Sequence, residues 1–338
     1  MSGKLRVIDA GWVGAVRSQA LWHGIADAME PGDEPVLSFC RPAEPYVCLG
    51  YHRRLDELDL ASCAQLGLPI LRRQIGGGPV YLDRDQLFFQ LSLPLASAPP
   101  GPSRLYAALL EPAAEALRAC GVAAAVSGAN DLVANGMKVS GTGAGQIGGG
   151  VVIVGNVMFA FPHERMAGVL RVPDERMRAE LLRLMQAHVA PLPELEESAV
   201  KLALTAAYAR ALGRVASSSQ ASSAEEEAIA GWERKLTTAA FIAGPQLPAP
   251  QGRQVKIRAG VWVYDGGDEG LRVRATVEAG LVSAARIEAP RLGPTAGRIS
   301  RALVGAAATV EALQSRLERF GNDGARVLAA LQPGLVVR

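Results

Sequence analysis

One stretch constrains this chain more than any other: Asn130-Asp131-Leu132-Val133-Ala134-Asn135-Gly136-Met137-Lys138-Val139-Ser140-Gly141-Thr142-Gly143. An Asn-Gly pair between apolar residues predicts a β-hairpin with a two-residue turn, because both central residues of that turn need positive φ. In an unbroken ladder Val133 faces Lys138 and Asp131 faces Ser140, so Asp131, Val133, Lys138 and Ser140 are expected on one face. An ammonium, a carboxylate and a hydroxyl on one surface suit a negatively charged ligand, including one that carries a metal ion. An exposed hairpin with a solvated lysine would show the same pattern.

A second stretch adds to the first. Leu68-Pro69-Ile70-Leu71 leads into Arg72-Arg73-Gln74-Ile75-Gly76-Gly77-Gly78-Pro79-Val80-Tyr81, and then comes Gln86-Leu87-Phe88-Phe89-Gln90-Leu91-Ser92-Leu93. Leu87, Phe89, Leu91 and Leu93 recur with the period of a strand. The segment therefore reads strand, glycine loop, strand. Glycines let backbone N–H groups approach a phosphate, and arginine adds a planar fork that matches phosphate or carboxylate. Arg72 has an alternative role as a strand-edge ion-pair partner.

The chain has 338 residues, enough for two or three domains, and 49% hydrophobic residues supply a sizeable core. Lys+Arg 35 against Asp+Glu 33 leaves +2, so no general attraction to nucleic acid or anionic membrane is expected. Cys40, Cys48, Cys63 and Cys120 form no close pair and no His cluster accompanies them, which argues against zinc and for reduced thiols. The stretch Met1-Ser2-Gly3-Lys4-Leu5-Arg6 lacks the apolar run of a signal peptide. No apolar run reaches the about 20 residues of a membrane span. A soluble, cytoplasmic protein is expected.

Strands are expected at Leu5–Asp9, Val36–Phe39, Val47–Gly50, Val151–Val154 and Val157–Phe159. Helices are expected at Val13–Met29, Leu55–Leu66 and Tyr106–Cys120, and one opened by Pro173-Asp174-Glu175 is expected to run through about His188. Ala216–Ser223 reads as a mobile serine-rich loop, and Ser223-x-x-Glu226 as a capping box for a helix through Trp232 to Phe241. Pro245, Pro248 and Pro250 mark a stiff linker. Beyond it, Val255–Tyr264, Leu271–Glu278 and Leu281–Glu288 alternate like strands, and Ile299–Val304 and Thr309–Phe320 look helical.

The two motifs, Arg72-Arg73-x-x-Gly-Gly-Gly-x-Val-Tyr and Asn-Asp-Leu…Asn-Gly-x-Lys-Val-Ser-Gly-Thr, together resemble the lipoate-protein ligase family, within the wider group of biotin and lipoate protein ligases. The resemblance covers most of residues 1–190. It extends to Val169-Leu170-Arg171-Val172-Pro173-Asp174-Glu175 and, in the tail, to Ala302-Leu303-Val304-Gly305. It implies an α+β fold, with a mixed, largely antiparallel sheet flanked by helices in a catalytic lipoate/ATP-binding domain over residues 1–250. A small α/β accessory domain is implied over residues 254–338.

The resemblance also implies a two-step reaction. Lipoate and ATP form lipoyl-adenylate, and the acyl group passes to a lysine of a lipoyl-domain or H-protein-like acceptor. Lys138 is the implied catalytic residue. Arg72, Arg73, Gly76, Gly77, Gly78, Pro79, Val80 and Tyr81 would cradle substrate and ATP with Asn130, Asp131, Ser140, Gly141 and Thr142, and Asp131 would hold Mg²⁺. Ser140 and Thr142 have shaping the hairpin as an alternative role. His52 and His163 are expected to be surface or capping histidines.

The chain departs from the family pattern at three places. Leu82 stands where a histidine often follows Val-Tyr, Val154-Gly155-Asn156 where many members carry His-Gly-Thr, and Ala289-Pro290 where many carry Gly-Asp-Phe. Three other readings compete with this one. An octanoyltransferase of the same fold commonly needs a cysteine after the shared lysine, and none follows Cys120. A biotin ligase uses a glycine loop of different pattern. A non-catalytic lipoate-binding protein would not require Lys138, Asp131 and the loop together.

Overall fold

The computed structural model describes residues 3–335, so Met1 and Ser2 of the N-terminal stretch and the last three residues of the tail lie outside it. The chain divides into two compact units, Met1–Leu247 and Pro248–Arg338. The first unit contains strands β1 (Lys4–Val13), β2 (Val36–Pro42), β3 (Tyr46–Leu49), β4 (Ile70–Arg72), β5 (Val80–Leu82), β6 (Gln86–Pro94), β7 (Ala124–Ser127), β8 (Asp131–Ala134), β9 (Met137–Ile147), β10 (Gly150–Met158) and β11 (Val215–Ser218). Its helices are α1 (Ala15–Asp27), α2 (Leu60–Gln65), α3 (Pro102–Ala119), α4 (His163–Gly168), α5 (Glu175–His188), α6 (Glu197–Ala211), α7 (Ser223–Leu236) and α8 (Ala239–Ala243).

Eight strands form one mixed sheet in the order β11-β1-β2-β6-β10-β9-β8-β7, with β1 parallel to both of its neighbours and the other pairs antiparallel. A second sheet, β4-β3-β5, carries the glycine loop between its outer strands. The alternation read in the sequence predicts one buried face for β6, but all of its residues are buried, Gln86, Gln90 and Ser92 included, because helices cover the large sheet on both faces. Leu87, Phe89, Leu91 and Leu93 of β6 pack with Leu109, Leu117 and Leu204 of α3 and α6, while Phe88 packs on the other side with Trp22, Tyr46, Ile75 and Trp232. Each such fully buried side chain contributes about 1.5–3 kcal/mol. On that second side α1 crosses α7 closely, because a Cβ on Gly24 would lie only 2.4 Å from the Ile229 backbone nitrogen.

Several local expectations are corrected. Val215–Ser218 is not a loop but an edge strand parallel to β1, with Lys4 opposite Val215 and Val7 opposite Ser218. The apolar-poor serine run hid it, since an edge strand needs backbone partners more than buried side chains. The capping box begins one residue earlier than expected. Ser222 Oγ accepts from Glu225 N, and Glu225 Oε2 accepts from Ser222 N. The helix it starts ends at Leu236, and Thr238 caps a separate short helix. Leu55–Leu66 is likewise broken into a 3₁₀ turn, Leu55–Glu57, and α2, whose N-cap is Asp59.

The second unit is a meander, β12 (Gly252–Arg258), β13 (Val261–Asp268), β14 (Leu271–Glu278) and β15 (Leu281–Glu288), with helices α9 (Pro294–Leu303), α10 (Val310–Leu317) and α11 (Gly321–Leu335). The expected strand Val255–Tyr264 is two strands, split at Gly260 with φ 75°. Trp262, Tyr264, Val273 and Val277 pack on one side with Ile299, Leu313 and Val327.

Candidate functional site

The Asn-Gly turn forms as expected, with φ 52° at Asn135 and 77° at Gly136. Val133 faces Lys138 and Ala134 faces Met137. One residue further the ladder slips. Leu132 pairs with Ser140 and Asp131 with Gly141, so β9 holds one extra residue, Val139, in a bulge. The expected face of Asp131, Val133, Lys138 and Ser140 is therefore corrected. Ser140 stands opposite Leu132, fully buried, and its Oγ has no hydrogen-bond partner among the described residues.

Gly141 takes the place opposite Asp131, and this change builds the site. Lys138 Nζ reaches Asp131 Oδ1 at 2.8 Å, with the lysine side chain 22% exposed and the carboxylate 1%. A Cβ on Gly141 would lie 3.3 Å from Nζ and 3.2 Å from Cε, so the bare glycine is the floor on which the ammonium rests. The lysine backbone is held on its other edge too. Lys138 O accepts from Ala190 N, and Val189 O meets His163 Nε2 at 3.0 Å. Asn130 and Thr142 form a latch across the hairpin base. Asn130 Nδ2 donates to Thr142 O at 2.9 Å and Thr142 Oγ1 donates to Asn130 O at 2.7 Å. Both thus serve the hairpin's shape.

The two arginines before the glycine loop do different work. Arg72 is fully buried, and its guanidinium donates to five carbonyls: those of Gly50, Tyr51, Arg53, Ile242 and Ala243, at 2.7–3.1 Å. It is neither a ligand-facing group nor a strand-edge ion pair, as the sequence had suggested. It is a clamp that ties the turn after β3 to the end of α8. The desolvation of this position pushes its pKa down from the ordinary arginine value. Arg73 instead folds the loop upon itself, donating to Gly76 O, Gly78 O and Cys48 O. Gly76, Gly77 and Gly78 stay exposed, with the carbonyls of Gly76 and Gly78 taken by Arg73.

Ile75 brings the two motifs together. A Cβ on Gly143 would lie 2.9 Å from Ile75 Cδ1, and one on Gly145 2.7 Å from Ile75 Cγ2. Along one face of β9 the residues thus read Lys138, Gly141 beneath its amine, then Gly143 and Gly145 beneath Ile75. Pro79 and Val80 are half-buried at the loop's exit. Tyr81 is buried, with its hydroxyl 3.3 Å from Arg165 Nη1. His52 is exposed, and His163 lies at the start of α4.

His23 was missed by the sequence reading, which saw only apolar helical spacing in its neighbourhood. Its ring is fully buried, stacked on Trp22 and tilted against Trp232. Nε2 accepts from the backbone N–H of Gln74 at 3.0 Å, which puts the proton on Nδ1, 2.7 Å from Gln19 O. Burial pushes its pKa down to about 3. His23 therefore acts as a neutral acceptor that anchors the entrance to the glycine loop.

Burial raises the pKa of all four thiols, that of Cys40 to about 12. Among the described residues no group of three or more His, Cys, Asp or Glu is placed to hold a metal ion. None of the described helices is long and apolar enough to cross a membrane.

The family model for the lipoyl protein ligase A/B catalytic domain matches residues 17–208. The lipoate-protein ligase LplJ of Bacillus subtilis is 27% identical over 168 residues, which are 49% of this chain and 49% of that protein. The match thus spans about half the length of that relative. Among solved structures, the bipartite lipoate protein ligase of Thermoplasma acidophilum, studied with its E2 lipoyl domain, superposes with a TM-score of 0.66 at 23% identity. That superposition covers 74% of this chain and 99% of the other. A lipoate-protein ligase A bound with ATP gives 0.60 at 22% identity, over 72% and 99%. Both show the same fold.

Proposed function

The chain belongs to the lipoyl protein ligase A/B catalytic-domain family, and from that premise we propose that it is a lipoate-protein ligase. A carboxylate oxygen of lipoate attacks the α-phosphorus of ATP, the bond to the β-phosphate bridging oxygen breaks, and pyrophosphate leaves. The lysine amine of a lipoyl-domain or H-protein-like acceptor then attacks the acyl carbon of the adenylate. Its nitrogen gives up a proton, and AMP departs.

The observation that carries this reading is the Lys138 ammonium, held 2.8 Å from a buried carboxylate on a glycine floor shared with the glycine loop. Attack of one anion on another concentrates negative charge, and a preorganised cation at that spot lowers the barrier. Comparable contacts supply about 2.7–4 kcal/mol. Asp131 fixes the ammonium, so little reorganisation is needed as charge develops. Gly76, Gly77 and Gly78 offer backbone N–H groups to phosphate, with Arg73 stiffening their loop.

The Asp131 carboxylate fits Mg²⁺ arriving with the nucleotide, since that ion commonly binds through one or two carboxylates and substrate phosphates. Asp131 would hold it, and bound there it would neutralise phosphate charge. The thiols favour this reading over an octanoyltransferase, because buried thiols with raised pKa values are poor nucleophiles. We read the 248–338 unit as the family's accessory domain and the cytoplasm, where ATP and reduced thiols coexist, as the place of work. Incubation with ATP, Mg²⁺, lipoate and a lipoyl domain, followed by intact mass measurement, tests the proposal. The acceptor should gain one lipoyl group only when ATP is present. An unmodified acceptor in the complete mixture argues against it.

A further inference from the structure

The backbone ladder between β9 and β10 ends at Thr142 opposite Gly155. One step further a side chain takes over. Asn156 Oδ1 accepts the Gly141 N–H at 3.0 Å, and Asn156 Nδ2 donates to Gln86 Oε1 at 2.7 Å. Gln86, fully buried at the start of β6, donates through Nε2 to Tyr81 O at 3.2 Å and to Asp83 Oδ1 at 3.5 Å. The orientation of both amides follows from the two ends. A backbone N–H can only donate, so Asn156 presents its oxygen there and its nitrogen to Gln86. A backbone carbonyl can only accept, so Gln86 presents its nitrogen to Tyr81.

This chain of bonds joins the strand that leaves the glycine loop to the glycine beneath Lys138. The Gly141 Cβ position lies 3.3 Å from Nζ and 4.0 Å from Asn156 Oδ1. Any shift of Gly141 therefore moves the floor of the ammonium. Asn156 stands where the family pattern often has another residue, and its partner Gln86 entered the sequence reading only as the first residue of the strand after the glycine loop.

We propose that Gln86 and Asn156 are positioning residues that set the separation between the glycine loop and the Lys138 ammonium for adenylate formation. This rests on the ligase reading above. Gln86→Glu gives the sharpest test. When protonated, the introduced carboxyl keeps the donation to Tyr81 O and the acceptance from Asn156, losing only the longer contact to Asp83 Oδ1. When ionised, it sets an oxygen anion against Tyr81 O and against the Asp83 carboxylate, whose own pKa burial raises. Lipoate-dependent pyrophosphate–ATP exchange by Q86E should fall about 10²-fold at alkaline pH, the scale of a 1 Å misplacement, and recover relative to wild type as pH is lowered.

Gln86→Met should lose kcat at every pH, with the KM values for lipoate and ATP nearly unchanged. Hydrogen exchange of the Gly141 amide reads the relay without reference to activity, and it should quicken in Q86M and in Asn156→Ala. A Q86E profile parallel to wild type, or a Gly141 amide equally protected in all variants, overturns the proposal. Absence of exchange activity in wild type would instead count against the ligase reading, while the amide protection still judges the relay. Should Q86M fail to fold, the Q86E profile and the Asn156→Ala amide decide.

Discussion

His23→Gln should flatten the pH dependence of stability between pH 8 and pH 5. In the fold the imidazole is buried and neutral, with its pKa depressed to about 3 from an ordinary 6.5. Above pH 6.5 neither state carries the proton. Below it the unfolded chain binds a proton that the folded chain refuses, so stability is lost as pH falls from 6.5 toward 3. At pH 5 the unfolded state is favoured by about one and a half pH units of protonation, about 2 kcal/mol. Glutamine offers one donor and one acceptor to Gln19 O and Gln74 N but does not titrate.

The assay is urea unfolding followed by fluorescence, since Trp22 and Trp232 flank the ring. Carboxylates elsewhere titrate equally in both proteins and cancel in the difference. Wild type should lose about 2 kcal/mol more than the variant between the two pH values. Coincident slopes would refute the claim that His23 is held neutral as an acceptor for the loop.

Three further outcomes follow from the geometry. Arg72→Ala removes a donor from five carbonyls at once. With a buried unsatisfied group costing about 1–3 kcal/mol, the loss should exceed about 3 kcal/mol in urea; a loss below about 1 kcal/mol would restore Arg72 as a candidate ligand contact. Gly24→Ala gains up to about 1 kcal/mol in helix propensity but drives a Cβ to 2.4 Å from the Ile229 backbone. Overpacking of about 1–3 kcal/mol should win, so the melting temperature should fall, and a rise would contradict the close α1–α7 crossing. Gly141→Ala places a methyl 3.3 Å from Lys138 Nζ, where only a flexible side-chain end must yield. Stability should barely change while kcat falls about 10²-fold, and an unchanged kcat would remove the glycine floor from the account.

Much of this architecture was legible in the residues. The Asn135-Gly136 turn followed from backbone sterics, and β6 as a strand from its alternation, whereas the burial of its polar side at Gln86, Gln90 and Ser92 did not. The α+β class, a mostly antiparallel sheet between helices, came through the family resemblance. What remained hidden depended on partners distant in sequence. The bulge at Val139 carries no Gly or Pro signal, yet it exchanges Ser140 for Gly141 opposite Asp131. Arg72 and Arg73 are adjacent and chemically identical, and only the turn after β3 and the end of α8 make one a buried clamp and the other a loop brace. His23 is one of several polar residues on α1, with Ser18 and Gln19 buried beside it, and its role appears only once Gln74 is brought against it from β4's far end. Val215–Ser218 looked like a loop because an edge strand can be built from serine when β1 supplies its hydrogen bonds.

The central claim is that the Lys138 amine is fixed where an acyl carboxylate meets the α-phosphate. Lipoate-dependent exchange of labelled pyrophosphate into ATP, compared between wild type and Lys138→Ala, tests it most directly. Wild type should exchange, and the variant should be slower by about 10²–10³-fold while remaining folded. Equal rates in the two proteins would contradict the account.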